Sequence, residues 1–341
     1  MKAYIKDIDY YLPSQVVTNE DIIKDFPEWS VEKIAEKVGV ESRCVAVDET
    51  ATDLAVKAAE NLFNHGGVSR QEIDFILFCT QSPDYKLPSS SCIIQDRLGI
   101  PTTCGAFDFN LGCSGYEYGL AVAKGLVVSG ICKNVLLLTA ETYNKYIHHR
   151  DKGNKTIFGD GASATVVSDT GFAEIGDFVM GTDGSGAKSL IVKTGGARNP
   201  EKANDLFFDD GGNPVGSDYL HMDGQDIFMF TLMKVPKMVK EVLLKNSMEK
   251  EDVDLFVFHQ ANKYMLEHLR KKMKIGEEKF FVNLCNVGNT VSSTIPIALC
   301  QAREKCLLKG NVLLAGFGVG LSWGATIIKV DEHLETVKKI K

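Results

Sequence analysis

The sequence predicts an α/β protein made of two similar halves, and three observations predict it. Two apolar, β-branched and aromatic runs, DFILFCTQ (74–81) and DLFVFHQA (254–261), read as buried strands. A second pair, VLLLTA (135–140) and VLLAGF (312–317), follows in the same order at nearly the same offset. A third pair of short turns, LGC (111–113) and VGN (287–289), each opens an apolar, helix-like stretch. A recurring order at near-constant spacing is the mark of an internal repeat. Strands alternating with helical stretches place it in layered α/β architecture. The halves are expected at 1–172 and 173–341, packed face to face about a pseudo-two-fold axis. The boundary is set near Thr170–Gly176, because AEIGDFVMGTD begins a new strand-like run there.

Taken in chain order, the N-terminus MKAYIKDIDYYLPSQ lacks the apolar stretch of a signal peptide. The strand at 74–81 is followed by AFDFN, a Gly-flanked turn, and a helix running from Ser114 to a stop at Gly130. The strand at 135–140 closes the first set. Residues 181–218 are rich in Gly, Asp, Asn and Ser and read as loop over a site, with a strand around Ser189–Thr194. The strand at 254–261 and the helix opened by GNTVSSTIPIAL build the second half.

Composition bounds the function. With 44% hydrophobic and 24% charged residues, the 341-residue chain can bury a large core. A net charge of −7 argues against nucleic-acid binding by the whole molecule. No window approaches the roughly 18 apolar residues of a membrane span; the nearest, Gly119 to Cys132, is broken by Lys124. Nine cysteines without a CxxC pair argue against a disulfide scaffold and a structural zinc site. A cytoplasmic protein with reduced thiols, no metal and no bound cofactor is expected.

Three residues combine reactivity with a sharp turn. Cys113 stands between a strand and a helix, where free N–H groups and the dipole favour thiolate. A buried packing cysteine is the competing reading, and the other eight are read that way. His259 ends a buried strand, where α/β sheets place ligands, though a satisfied core histidine also ends strands. Asn289 lies in a glycine turn before a helix and equally suits a cap. The repeat tips the balance, because it makes Cys113 and Asn289 equivalent positions with His259 nearby. Thiol, imidazole and amide form a nucleophile, a proton carrier and a hydrogen-bond donor.

Other candidates fall away. GTDGSGAKS (181–189) fails the P-loop spacing. GFGVGLSWG (316–324) offers backbone N–H groups suited to an oxyanion hole rather than a nucleotide loop. The cluster His148, His149 and Arg150 reads as solvated loop.

An ordered set of segments then resembles one family. EWSVEKIAEKVGVESR, TQSPDYKLPSSSCIIQDRLG, FNLGCSGYEYGLA, IFGDGASATVV, HMDGQDIF, FHQAN, GNTVSSTIPIAL and GFGVGLSWGA resemble the beta-ketoacyl-ACP synthase III (KAS III, FabH-type) enzymes of the thiolase superfamily. The resemblance covers nearly the whole chain. It implies a thiolase-like five-layered αβαβα fold, usually in a homodimer. It implies the catalytic set Cys113, His259 and Asn289, with oxyanion donors from the backbone of Cys113 and Val319. Cys113 would take an acyl group from acyl-CoA or acyl-ACP. A malonyl thioester on acyl carrier protein would then decarboxylate beside His259 and Asn289 and attack it. The acyl tunnel would comprise Leu87, Phe158, Met222 and Phe228. Trp29 would grip CoA or its pantetheine, with Lys152 where the family has arginine; ammonium stacks less well than guanidinium. Two usual carrier-docking bases are Met229 and Tyr264 here, whereas Lys271 and Lys272 in HLRKKMK suit an acidic carrier.

Three other readings compete. One is the same scaffold working as an acyltransferase or synthase that forms an ester, amide or heterocycle. A papain-like protease shares the Cys, His, Asn order but lacks a place for the repeat. A non-catalytic binding module would have no need of the full set.

Overall fold

A computed structural model of the chain describes residues 1–26 and 29–331. Residues 332–341, assigned above to the second half, lie outside the described residues. Ten strands are joined in one sheet system. In chain order they are β1 (Tyr4–Tyr11), β2 (Phe75–Cys79), β3 (Gly105–Phe109), β4 (Asn134–Glu141) and β5 (Gly161–Ser168), followed by β6 (Ala173–Thr182), β7 (Leu255–Phe258), β8 (Phe280–Phe281), β9 (Gly310–Gly318) and β10 (Ser322–Val330). Across the system the order is β8-β7-β9-β10-β6-β1-β5-β4-β2-β3.

Read outward from the centre, the two sets have one topology. β1-β5-β4-β2-β3 on one side corresponds to β6-β10-β9-β7-β8 on the other. In each set the inner three neighbours run antiparallel and the outer three parallel. The sets meet where Tyr4 and Ile5 pair with Glu174 and Ala173.

Side-chain alternation turns the two sets into layers. In β2 and β4, Leu77, Val135 and Leu137 join one core, whereas Ile76, Phe78, Leu136 and Leu138 join another. In β7 and β9, Leu255, Val257, Val312 and Leu314 face that first core, and Phe256, Phe258, Leu313 and Ala315 face a third. Alternation is obligatory on a pleated strand, so a strand apolar on both faces must be covered twice. Helices supply the covers: α1 (Val31–Val38), α2 (Ala51–Asn64), α3 (Gly115–Val128), α4 (Gly224–Lys245), α5 (Lys263–Lys272) and α6 (Thr294–Glu304). α3 and α6 share the central core, α2 covers the outer face of the first set, and α4 with α5 covers that of the second. The result is helix, sheet, helices, sheet, helix. Each fully buried Leu or Ile contributes about 1.5–3 kcal/mol, so the double burial is a large share of the stability.

The strand expected around Ser189–Thr194 shrinks to Leu190–Ile191, paired with His221–Met222. Hydrogen bonds from side chains to backbone N–H groups organise the rest of this excursion instead. Asp218 accepts from Ala203 and Asn204, and Asp205 accepts from Ser217. Bonds of this kind, from backbone N–H groups to Asp side chains, compete with strand pairing, which is why the composition reads as loop.

Candidate active site

Cys113 lies in the turn between β3 and α3, with Ser114 as the residue before the helix. The turn is crowded. A Cβ on Gly112 would lie 2.5 Å from Val319 Cγ1 and 2.6 Å from Gln81 Oε1, so any side chain there would displace Val319 and Gln81. Cys113 itself is 7% exposed. Its sulfur accepts from the backbone N–H of Val319 and from its own, and both lower the thiol pKa. Burial outweighs them and pushes the thiol up to about 12. The N–H groups at the helix N-terminus thus favour thiolate as expected, but they do not offset the burial of the turn. Desolvation depends on what covers the turn, and the covering loop comes from the other half of the chain. At rest the sulfur keeps its proton.

β9 brings the second half to this sulfur. A Cβ on Gly318 would lie 2.8 Å from both Cβ and Sγ of Cys113. Phe317, the preceding residue, sets its ring against His259 at 5.6 Å and 87°. Gly318→Ala is accordingly expected to push the thiol aside and slow its acylation by tenfold to about 100-fold, since misplacement near 1 Å costs this much. Rapid-quench measurement of the acyl-enzyme checks it, and unchanged acylation would refute the contact.

His259 directly follows β7, and its backbone N–H bonds Ala315 O at 2.9 Å. Nδ1 lies 2.7 Å from Thr294 Oγ1. The ring is 2% exposed, and burial lowers its pKa to about 3. The imidazole is therefore neutral at every working pH. Linkage follows. The unfolded histidine binds a proton below about pH 6.5, whereas the folded one does so only near pH 3. This contribution to stability is full above pH 6.5 and is lost as pH falls toward 3. Acid unfolding of wild type should show a steeper loss over that window than His259→Gln, followed by circular dichroism.

Asn289 is pinned by its backbone. Its N–H bonds Ile157 O at 2.9 Å, and its C=O accepts from Gly159 N at 3.0 Å. The side chain does serve as a local cap, since Oδ1 accepts from Val291 N at 2.9 Å. That bond orients the amide so that Nδ2 stands 3.5 Å from His259 Nε2 and 3.4 Å from Ala261 O. The cap and the site use opposite ends of one side chain.

Two buried carboxyls were not foreseen. Glu141 ends β4 and accepts from Gln81 N, Ser82 Oγ and Ser292 Oγ, yet burial raises it to about 8. Glu117, in the first turn of α3, is held far above the usual range by burial and, among the described residues, has no partner beyond its own amide. Both stay largely protonated near neutrality, which keeps net negative charge away from the thiol. An acid in the apolar stretch SGYEYGLAVA was the available signal for Glu117. Tyr143, hydrogen-bonded to Gln81 Oε1, and Phe317 carried no such signal.

The remaining expected site residues separate. Phe158 is buried, pairs with Asn289 as an isolated bridge, and packs on Tyr143 at 5.4 Å. Met222 and Ile157 line a cavity of about 510 Å³ beneath the excursion. Phe228 turns its ring to Tyr264 and His268 at 5.4 and 5.5 Å. Leu87 is 82% exposed. Trp29 lines a second cavity, about 560 Å³, with Lys33, Lys37 and Tyr264. Lys152 donates to Gly211 O at 3.2 Å, and Lys271 and Lys272 are exposed on α5. Among the described residues no cluster could hold a metal, and no helix is long and apolar enough to cross a membrane.

The layered fold, with a cysteine at the turn into its central helix, defines an acyltransferase of the thiolase fold. Comparison with known proteins narrows this. Residues 107–184 match the family model "3-Oxoacyl-[acyl-carrier-protein (ACP)] synthase III", and 243–330 match its C-terminal counterpart. Beta-ketoacyl-[acyl-carrier-protein] synthase III of Clostridium perfringens is 38% identical, covering 94% of this chain and 97% of its own. A crystal structure of a 3-oxoacyl-(acyl-carrier-protein) synthase III superposes with TM-score 0.93 at 48% identity, over 96% of this chain and all of that one. The enzyme of that name from Aquifex aeolicus gives 0.83 at 32% identity, over 96% and 99%. The chain belongs to the beta-ketoacyl-ACP synthase III family, and it is a condensing enzyme.

Proposed function

We propose that Cys113 attacks an acyl thioester, the acyl group passing to sulfur while the thiol proton leaves with the departing carrier thiol. The developing oxyanion lies against the N–H groups of Cys113 and Val319. A malonyl thioester on acyl carrier protein then places its carbonyl oxygen between His259 and Asn289. Loss of CO2 leaves an enolate there, which attacks the acyl-Cys113 carbonyl, forms the new C–C bond and breaks the C–S bond, and the expelled thiolate takes a proton from water to restore the thiol. The product is a 3-ketoacyl thioester. The observation that carries this reading is the imidazole and amide side by side at 3.5 Å, a pairing that acyl transfer alone does not need.

The two cavities flanking Ile157 and Trp29 suit the pantetheine arm of acyl-CoA or acyl-ACP, and exposed Lys271 and Lys272 suit an acidic carrier protein. The exposed edge strand β3, with Phe107, and the exposed Leu87 support a homodimer in which a partner copy covers them. Nine free cysteines support a reducing, cytoplasmic setting, and the reaction needs no cofactor. The test is to incubate the protein with malonyl-ACP and a panel of acyl-CoA and acyl-ACP thioesters. Primer-dependent CO2 release is expected, and its absence with every primer would overturn the condensing reading.

A further inference from the structure

The donor pair works only if His259 carries its proton on Nε2, and Thr294 is placed to decide this. A neutral imidazole has one N–H, and which nitrogen bears it follows from the partner of the other. Among the described residues Nδ1 has one hydrogen-bond partner, Thr294 Oγ1, at 2.7 Å. The hydroxyl has one proton and two acceptors in reach, Nδ1 and Val291 O at 3.1 Å. Three observations settle the choice. The shorter contact is to Nδ1, and 3.1 Å exceeds the usual range for O–H···O. Val291 O already accepts the backbone N–H of Thr294, so it needs no second donor. Finally, Asn289 Nδ2 stops 3.5 Å from Nε2, too far for a bond into a lone pair but right for two donors side by side.

We propose that Thr294 is a positioning residue whose hydroxyl donates to His259 Nδ1 and holds the imidazole in its Nε2–H form. His259 and Asn289 then present two N–H groups to one thioester oxygen. Without this hydroxyl, a bare Nε2 would accept the N–H of Asn289, and both donors would be lost to the substrate at once. The threonine therefore guards against a collapse of the donor pair. Its buried position at the first turn of α6 keeps water from competing for the hydroxyl. The inference deepens the condensing reading and rests on it.

The test compares Thr294→Val, which keeps the shape, with Thr294→Ser, which keeps the hydroxyl. In wild type, ¹⁵N-histidine spectra should show His259 with an unprotonated Nδ1 and a protonated Nε2, the signal assigned by its loss in His259→Gln. Thr294→Val should lose that signature and slow malonyl-ACP decarboxylation by the acyl-enzyme about tenfold or more. Acylation of Cys113, read by intact mass, should stay near the wild-type rate, and Thr294→Ser should restore both signature and decarboxylation. A wild-type His259 protonated on Nδ1, or Thr294→Val decarboxylating at the wild-type rate, would overturn the proposal. If wild type releases no CO2 with any primer, the condensing reading fails, and the spectra still decide the role of Thr294.

Discussion

Cys113→Ala should abolish acyl-enzyme formation and reduce condensation by about 10⁴-fold or more, the scale seen when a nucleophile is removed. Intact-mass spectrometry after exposure to acyl-CoA or acyl-ACP should show one adduct in wild type and none in the variant. The choice of reagent matters. Cys92, Cys285 and Cys306 are exposed, whereas Cys113 is buried with its thiol pushed up to about 12. General alkylating agents should therefore mark the exposed thiols first. An acyl thioester can still react at Cys113, because its oxyanion is met by the N–H groups of Cys113 and Val319 as charge forms. An adduct that survives Cys113→Ala would refute the assignment of the nucleophile. Small residual CO2 release in the variant is compatible with it, since the site of decarboxylation is left in place.

The second large effect is expected at Asn289. Asn289→Asp keeps Oδ1 for the Val291 N–H, and so the turn, but exchanges a donor for an acceptor. Removal of one oxyanion donor costs about 10²–10³-fold. The added carboxylate also faces a malonyl carboxylate, and like charges in a buried site repel strongly. Condensation should fall by at least this factor, while acylation of Cys113 continues. Single-turnover acylation and malonyl-ACP decarboxylation, measured separately, check the split. Equal losses in both steps would mean that Asn289 acts only as a cap that shapes the turn.

Much of this was legible in the residue pattern. The apolar runs at 74–81 and 254–261 became β2 and β7, and VLLLTA and VLLAGF became the cores of β4 and β9. These readings succeed because strand pleat and helix pitch impose periods that neighbouring residues must obey. The turn LGC at a strand-to-helix junction marked Cys113 for the same reason. Readings that rested on composition alone fared less well. The strand at Ser189–Thr194 reduced to two residues because the N–H groups at its ends, those of Ser189 and Gly195, go to the turn carbonyls of Gly186 and Asn199.

What the chain determined by itself was the alternation of elements, their repetition and which side chains stand at the sharp turns. Tertiary structure decided their state. The thiol is protonated, the imidazole neutral and two carboxyls raised because residues distant in sequence exclude water from them. Ser114 meets Ser322 across 208 residues, and Thr294 meets His259 across 35. No local pattern encodes such contacts. Desolvation is a property of everything that surrounds a group, whereas periodicity is a property of its neighbours along the chain.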